Sequence, residues 1–426
     1  MLRAMTSGIS GLKVNQNKFD IIGSNIANSS TTAYKSQSIN FSDAMSETIK
    51  GASGATANFG GVNPQQITLG AKVSAIITNT TGGSVNTTGR NLDVAVTGGD
   101  GYFMTAAGSE MSDETDCIQV SPQEHSITSS PAGVDISYTR DGSFNLDNQG
   151  NLVTADGRKV LGYSMIGRNT LYTDSTDTTK NIYGNIVSLT GDQSATTLDA
   201  DTENGTAYIT NAAKGNNDIN TSIAKAVDSS PAAGDTILVN KGTVAFVDSN
   251  DTDLRADNRY LHTLKIPATV TKVTATRDAV TGNPVYKTQE LKVKGFSIGQ
   301  DGVITANLDD GSAAAIGQVA MASFTNAGGL EKTGGNYVKP SASSGEPMIR
   351  SGAYSTKIPG GFLTSAKGED NSGGYGNIYN GALEMSNVDL AQQFSDMIVA
   401  SRAYQANGKI ITTSDEILQD LVNLKR

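Results

Sequence analysis

The C-terminal residues 383–426 constrain the fold most strongly, because they form a long proline-free run with one helical periodicity. Apolar or small residues recur there at intervals of seven, or of three and four, which a helix places on one stripe. A helix from Asp389 to Leu424 would be roughly 50 Å long at about 1.5 Å per residue, and it needs a partner to bury its stripe. The stripe contains Leu390, Met397, Ala400, Tyr404, Asn407, Ile411, Ser414, Leu418 and Leu421, and a second row beside it contains Phe394, Ile398, Ile410, Ile417 and Leu424.

A second amphipathic helix is predicted at the other end of the chain, over residues 2–28. Its apolar residues occupy the a and d positions of one heptad register: Leu2, Met5, Ile9, Leu12, Phe19 and Ile26. Two ordinary amphipathic helices packed on a globular core would show the same pattern. The concentration of helical signal at the two ends of a 426-residue chain favours pairing of the two helices with each other.

The middle of the chain has a period of two and is therefore predicted to be mostly β. Its 47 glycines and frequent Asp-Gly and Asn-x-Gly turns are typical of hairpins. The predicted fold is a multidomain, mostly β protein with long terminal α-helices, in which the helices pair as a coiled-coil-like core domain and two β-rich domains are inserted between them. The predicted parts are a helical core (residues 1–28 and 385–426), a loosely structured connector (29–69), an inner β domain (70–164 and 309–384) and an outer β domain (165–308).

Composition argues against two classes of partner. The net charge is −10 and no Lys/Arg cluster occurs, so nucleic-acid binding is not expected. No apolar run approaches the ~18 residues of a membrane span, and residues 1–30 lack the pattern of a cleaved secretory signal, so membrane insertion is not expected. Cys117 is the single cysteine and follows three acidic residues, which favours an unreactive or merely exposed thiol.

Sequence patterns of catalytic and metal sites are lacking. His125 and His262 are the only histidines, and neither has the spacing of a metal-ligand pair. An acidic stretch at Asp248, Asn250 and Asp253 resembles a calcium loop, but position six is not Gly and position twelve is Arg259 rather than Glu. The sequence therefore predicts no catalytic residues, no metal and no cofactor, and the protein is not expected to be an enzyme.

Several motifs in order resemble those of bacterial flagellar axial proteins, the family of rod, hook and hook-associated subunits. The first is similar to the family's Asn-x-x-Asn-x-x-Thr-x-Gly-Phe/Tyr-Lys and carries Asn25, Asn28, Thr31, Tyr34 and Lys35, with Ala33 at the usual Gly place. The others are Gly99, Gly101 and Phe103 in Gly-Asp-Gly-Tyr-Phe; the Tyr138–Phe144 hairpin; Phe324–Leu330; Tyr404, Gln405 and Asn407 in Ser-Arg-Ala-Tyr-Gln-Ala-Asn; and 415–421.

The resemblance favours the hook branch of the family and implies a structural subunit of a short curved helical tube that transmits motor torque from rod to filament. Implied partners are further copies of the chain, the rod, hook-cap and hook–filament junction proteins, and the flagellar type III export apparatus. It also implies an extracellular location in the flagellum. Gln393, Asp396 and Gln405 are predicted to face a central channel, and residues 29–69 and 371–381 are predicted hinges. The alternatives are a distal rod or hook-associated protein and, from another class, a soluble β-rich adhesin or binding module.

Overall fold

The computed structural model describes residues 2–424, apart from 55–59, 109–116, 122–124, 173–181, 188–193, 202–205, 212–234, 240–243, 251–253, 278–283, 351–353, 357–363 and 367–374. The chain forms two compact units. Unit 1 contains Met1–Ser84 and Met385–Arg426, and unit 2 contains Val85–Glu384.

Two helices form about half of unit 1, and both agree with their predicted bounds to within one residue. Helix α1 spans Leu2–Ala27 and helix α2 spans Leu390–Asn423. Asp389 caps α2: its carboxylate accepts hydrogen bonds from the backbone N–H groups of Ala391 and Gln392, at 2.9 and 3.2 Å. Those N–H groups have no partner within the helix, so the cap fixes where α2 begins.

The described residues of unit 1 between the two helices include an antiparallel β ribbon, which corrects the prediction of a loosely structured connector. Strand β1 (Gln37–Asp43) pairs antiparallel with β4 (Ala71–Thr78), and β2 (Ser46–Lys50) pairs with β3 (Gln65–Thr68). Apolar and polar residues alternate in β1, at Ile39 and Phe41, and in β4, at Val73 and Ala75. Strands β2 and β3 are exposed throughout and lack the alternation by which a half-buried strand is recognised in sequence.

Unit 2 is a β structure. Eighteen of its described strands join through hydrogen bonds into one continuous network, and the others form one three-stranded sheet and three short pairs. The strands are β5 (Val85–Thr87), β6 (Val94–Thr97), β7 (Tyr102–Ala107), β8 (Ile118–Val120), β9 (Ile127–Ser129), β10 (Asp135–Thr139), β11 (Asn145–Leu146), β12 (Leu152–Val153), β13 (Lys159–Tyr172), β14 (Ile182–Val187), β15 (Ser194–Asp201), β16 (Thr206–Asn211), β17 (Asp235–Val239), β18 (Val244–Ala245), β19 (Arg255–Thr263), β20 (Thr269–Arg277), β21 (Pro284–Ile298), β22 (Val303–Leu308), β23 (Ala313–Val319), β24 (Met321–Ser323), β25 (Glu331–Gly334), β26 (Tyr337–Lys339), β27 (Met348–Arg350), β28 (Tyr354–Thr356), β29 (Thr364–Ala366), β30 (Asn377–Asn380) and β31 (Ala382–Glu384).

The core of unit 2 lies on both faces of strand β7. Phe103 belongs to one buried apolar cluster, together with Phe144 and Ile304, whereas the next residue, Met104, belongs to another, together with Tyr163. Successive side chains of a strand point to opposite faces, so β7 is covered on both sides. This explains why Tyr102–Thr105 is buried without interruption.

Three further parts of unit 2 bear on the predictions. Leu264–Ile266 alternates as a strand does but makes only an isolated bridge at Lys265, although Leu264 is fully buried. Residues 371–374 of the predicted hinge 371–381 lie outside the described residues. The rest of that hinge contains β30, which pairs with β6 and includes the buried side chain of Ile378. The division of residues 85–384 into inner and outer β domains stays a prediction, and β22, from the predicted outer part, pairs with β23 from the inner part.

Candidate assembly surfaces

The two helices of unit 1 are in direct contact through side chains of both polar and aromatic types. The rings of Phe19 and Tyr404 meet edge to face, with centroids 6.3 Å apart. Lys18 Nζ lies 3.2 Å from Asp396 Oδ1, and both side chains are half-buried. The family-motif residue Tyr404 therefore takes part in helix pairing.

Glycines allow the helices to approach closely at one point. A Cβ atom added to Gly11 would lie 2.6 Å from the side-chain nitrogen of Asn407, and one added to Gly8 would lie 3.3 Å from Ile411. The heptad register of large apolar residues in α1 does not mark this contact, because Gly8 and Gly11 fall outside it. The spacing of small residues at positions 4, 7, 8 and 11 is the signal that marks it.

The predicted stripe of α2 lies mainly on its less exposed side. Ala400 and Ser414 are buried, and Met397, Asn407, Ile411 and Leu418 are half-buried. Leu390 and Tyr404 are more exposed, at 42% each, and the side chain of Leu421 lies outside the described part of the structure. The second row remains uncovered in the single chain: Phe394, Ile398, Ile410, Ile417 and Leu424 are 51%, 63%, 45%, 45% and 84% exposed.

The stripe of α1 is divided between two neighbours. Met5, Leu12, Phe19 and Ile26 are half-buried and Ile9 is exposed, whereas the most buried apolar side chains are Val14 and Ile22, which the heptad register omits. The side chain of Leu2 lies outside the described residues. Helix α1 contacts the β1–β4 ribbon as well as α2, so a search for one stripe finds only part of its covered surface.

The three residues predicted to face a channel differ in their surroundings. Gln393 Oε1 accepts a hydrogen bond from Asn25 at 3.1 Å, and Asp396 pairs with Lys18, so both are engaged with α1. Gln405 is exposed. A channel-facing role stays a proposal for all three residues, and Gln405 is the most exposed of them.

Asn25 organises the first family motif. Its side chain donates to the carbonyl oxygen of Gln37 at 2.8 Å and accepts from the Gln37 N–H at 3.0 Å. Both backbone polar groups of Gln37, at the start of β1, are therefore hydrogen-bonded. The Asn25 side chain also accepts from the Tyr34 hydroxyl at 3.3 Å and donates to Gln393. One buried amide thus joins the end of α1, the first strand and α2.

The turn between α1 and β1 explains the other residues of this motif. Ala33 has φ = 56°, so the left-handed conformation that usually selects Gly is present although the residue is Ala. Asn28 Oδ1 accepts from the Thr31 hydroxyl at 3.1 Å. The buried Lys35 ammonium donates to the carbonyl oxygen of Thr81 at 2.9 Å. The motif is therefore a hydrogen-bonded turn that fixes how the ribbon leaves α1.

The second family motif contributes to the core of unit 2. A Cβ atom at Gly99 would lie 2.2 Å from the backbone nitrogen of Gly376, and one at Gly101 would lie 2.4 Å from the carbonyl oxygen of Tyr375. Both positions therefore require glycine for backbone packing. Phe103 is fully buried against Phe144, with ring centroids 5.3 Å apart.

Three carboxyl groups of unit 2 have lowered pKa values. Hydrogen bonds from Ser312 and the neighbouring Lys272 lower the pKa of Asp310 to about 2. The hydrogen bond from Lys339 is the largest cause that lowers the pKa of Asp135. Burial raises the pKa of Asp147, but hydrogen bonds from Asn151 and Gln149 outweigh it, so the net pKa is lowered. These groups act in hairpin turns and surface ion pairs.

Cys117 is buried rather than exposed. Its sulfur lies 3.0 Å from His262 Nδ1, and both side chains belong to the interior of unit 2. Asp248 Oδ1 accepts from the Asn250 N–H in a short turn, while Asp253 lies outside the described residues. Among the residues that the structure describes, no three or more His, Cys, Asp or Glu side chains are grouped to hold a metal ion. No described helix combines the length and apolar character needed to cross a membrane.

Three family descriptions match successive parts of the chain. Residues 5–35 match "Flagella basal body rod protein", residues 126–210 match "Flagellar hook protein FlgE/F/G D1 domain", and residues 379–424 match "Flagellar basal body rod FlgEFG protein C-terminal". The first match contains the Asn25 turn, and the last covers α2.

Full-length relatives carry the names of both hook and rod proteins. The chain is 32% identical to the flagellar basal-body rod protein FlgG of Bacillus subtilis, and 30% identical to the flagellar hook protein FlgE of Borreliella burgdorferi, over the whole of each chain. It is 27% identical to FlgE of Salmonella typhimurium, with 99% of this chain and all of the relative covered. The crystal structure of the Helicobacter pylori hook protein FlgE2 covers 70% of this chain and all of its own, at 11% identity and a TM-score of 0.30. The chain belongs to the family of flagellar hook and basal-body rod proteins.

Proposed function

We propose that this protein is the structural subunit of the bacterial flagellar hook, a short curved helical tube that transmits torque from the rod to the filament. The observation that carries the proposal is the uncovered second row of α2, on a chain whose full-length relatives include hook proteins. Burial of exposed side chains such as Phe394 and Ile398 against a neighbouring subunit lowers the free energy, because it removes apolar surface from water.

The assembly contacts follow from two different faces of one helix. The inner face of α2 is occupied by α1, and the outer row contacts a neighbouring subunit, as does the exposed ribbon with Met45 and Ile49. A contact between two unlike patches is heterologous, and it propagates into a helical polymer when the rotation between successive subunits does not close a ring. We also propose that the paired helices form a coiled-coil-like inner core whose exposed Gln405 faces a central channel.

The proposed partners are those of a hook subunit. They are further copies of the chain, the rod, the hook cap and the hook–filament junction proteins, with export through the flagellar type III apparatus. In this proposal residues 165–308 form an outer domain. The range includes β22 and Ile304, which contribute to the core around β7, so its deletion is a stringent test of the assignment. Polymerisation of the shortened chain would support the outer domain, and failure to polymerise would show that the domain assignment is wrong.

Electron microscopy of the purified full-length protein after salt-induced assembly tests the proposal. We expect curved tubes from the unmodified chain and from the control variant Thr413→Ser at an exposed polar position of α2. The double variant Phe394→Ser/Ile398→Ser should stay monomeric with unchanged secondary structure, because those side chains contact solvent in the single chain. Equal assembly of the double variant and the control would refute the assigned surface.

The same experiment separates the alternatives. Straight, stiff polymers would favour a distal rod protein, a function also named among the full-length relatives. A stable monomer that does not assemble, and that keeps all activity when residues 1–28 and 385–426 are removed, would favour a soluble adhesin or binding module.

A further inference from the structure

An ion pair between Arg140 and Glu384 lies deep inside unit 2. Arg140 Nε is 3.1 Å from Glu384 Oε2, and the two side chains are only 2% and 1% exposed. A second guanidinium nitrogen of Arg140 donates to the carbonyl oxygen of Gly99 at 2.9 Å, and its carbon lies 5.6 Å from the centre of the Tyr102 ring. Arg140 is therefore fixed to the core independently of Glu384.

Glu384 is the last residue of strand β31, by which the chain leaves unit 2 towards α2. That strand pairs with β5 over three residues, and all three residues of β5 are exposed. Of the three β31 side chains, Ala382 and Glu384 are buried and Leu383 is half-buried. A two-stranded pair is weak by itself in water. Backbone hydrogen bonds at Gly381 hold the start of this segment, and the Glu384 carboxylate attaches its end to the core.

We propose that Arg140 and Glu384 form a latch that holds the departing strand β31 on unit 2, so that load applied through α2 enters the β core. Arg140 acts as a positioning residue for the strand. The relevance to load rests on the proposed hook function, whereas the latch itself is a property of the single chain. The ion pair fits this role because removal of one member of a buried pair leaves the other charge without compensation.

A latch and a general contribution to core stability differ in which residues become less protected when the ion pair is lost. Loss of the latch should release residues 85–87 and 382–384 and leave the centre of the sheet closed. A pair that supports the whole core should instead open β7 and β22 as well. Local and global opening are distinguished by amide hydrogen exchange, because each amide reports the smallest unfolding event that exposes it.

Hydrogen-exchange mass spectrometry of the full-length monomer therefore tests the latch. In Glu384→Gln, peptides covering 85–87 and 382–384 should exchange at least tenfold faster, with Tyr102–Ala107 and Val303–Leu308 unchanged. Asp310→Asn is the matched control, since it removes an ion pair with Lys272 elsewhere in unit 2. It should leave residues 382–384 at the unmodified rate.

Two outcomes would overturn the latch: unchanged exchange at 382–384, or equal acceleration throughout unit 2. If Glu384→Gln does not fold, Glu384→Asp, which keeps the charge on a shorter side chain, is measured by the same criteria. A second experiment tests the role in load transfer: polymers assembled from Glu384→Gln should bend more easily than polymers assembled from Asp310→Asn. Failure of the unmodified chain to form tubes would refute the proposed function and would leave the monomer exchange result standing.

Discussion

Replacing Asn25 by Ala should destabilise unit 1 much more than a single hydrogen bond would suggest. The Asn25 side chain is 1% exposed and makes four hydrogen bonds, two of them to the backbone of Gln37. Alanine leaves the Gln37 N–H and C=O groups without these partners. It also breaks the links to Tyr34 and Gln393.

The magnitude follows from these four bonds. A buried polar group left without a partner costs about 1–3 kcal/mol. Gln37 is half-buried, so about 1 kcal/mol for each of its two groups is appropriate, and the two side-chain bonds add about 0.5 kcal/mol each. The sum is about 3 kcal/mol, which lowers the equilibrium constant for folding by about a hundredfold.

Urea unfolding followed by circular dichroism at 222 nm measures this loss, because both described helices belong to unit 1. With a denaturant slope of about 2 kcal/mol per molar, the midpoint should fall by about 1.5 M. The control Asn28→Ala removes two hydrogen bonds of a half-buried side chain, to Ser24 and Thr31, and should cost about 1 kcal/mol. Equal midpoints for the two variants would refute the organising role of Asn25.

Asn25→Asp distinguishes the donor bonds from the acceptor bonds. An ionised carboxylate cannot donate to Gln37 or Gln393, whereas a protonated one has a single O–H donor. Burial beside two acceptor oxygens should raise the pKa of the new carboxyl group, so its stability deficit should shrink as the pH falls through that raised pKa. A deficit that does not change with pH would contradict the assigned bonds.

Three further predictions concern other sites. Gly11→Ala should stabilise unit 1 less than Gly23→Ala in urea unfolding, because its Cβ atom would displace the side-chain amide of Asn407, whereas Gly23 has open space around it and its replacement should stabilise α1 by about 0.5–1 kcal/mol. Gly99→Ala should destabilise unit 2 by about 3 kcal/mol, because its Cβ atom would overlap the backbone of residues 375–376. The near-UV circular dichroism of tyrosine should then disappear at a lower urea concentration than in the unmodified chain. An unchanged unfolding midpoint would refute the close packing. The pKa of Asp310 is lowered from 3.8 to about 2, so its stabilisation is complete above pH about 4 and is lost as the pH falls towards 2; acid titration of Asp310→Asn should show a smaller decrease in that window than the unmodified chain.

The sequence by itself determined the elements whose signal is local and repeated. Both terminal helices and the inner stripe of α2 follow from periodicity, and the hairpin turn Gly299–Gly302 follows from its Asp-Gly pair. The family resemblance was carried by short motifs at fixed spacing, and the full-length relatives establish the family. These features need no knowledge of which distant segments meet.

Only the tertiary structure decided which surfaces are covered. Helix α1 divides its surface between α2 and the ribbon, so Val14 and Ile22 are buried while Ile9 is not. Strands β2 and β3 escaped prediction because exposure on both faces removes the alternation that marks a strand. Arg140 and Glu384 are 244 residues apart in sequence, and their charges meet only because β10 and β31 belong to one folded unit. Burial and charge pairing depend on long-range neighbours, and those are fixed by the complete fold.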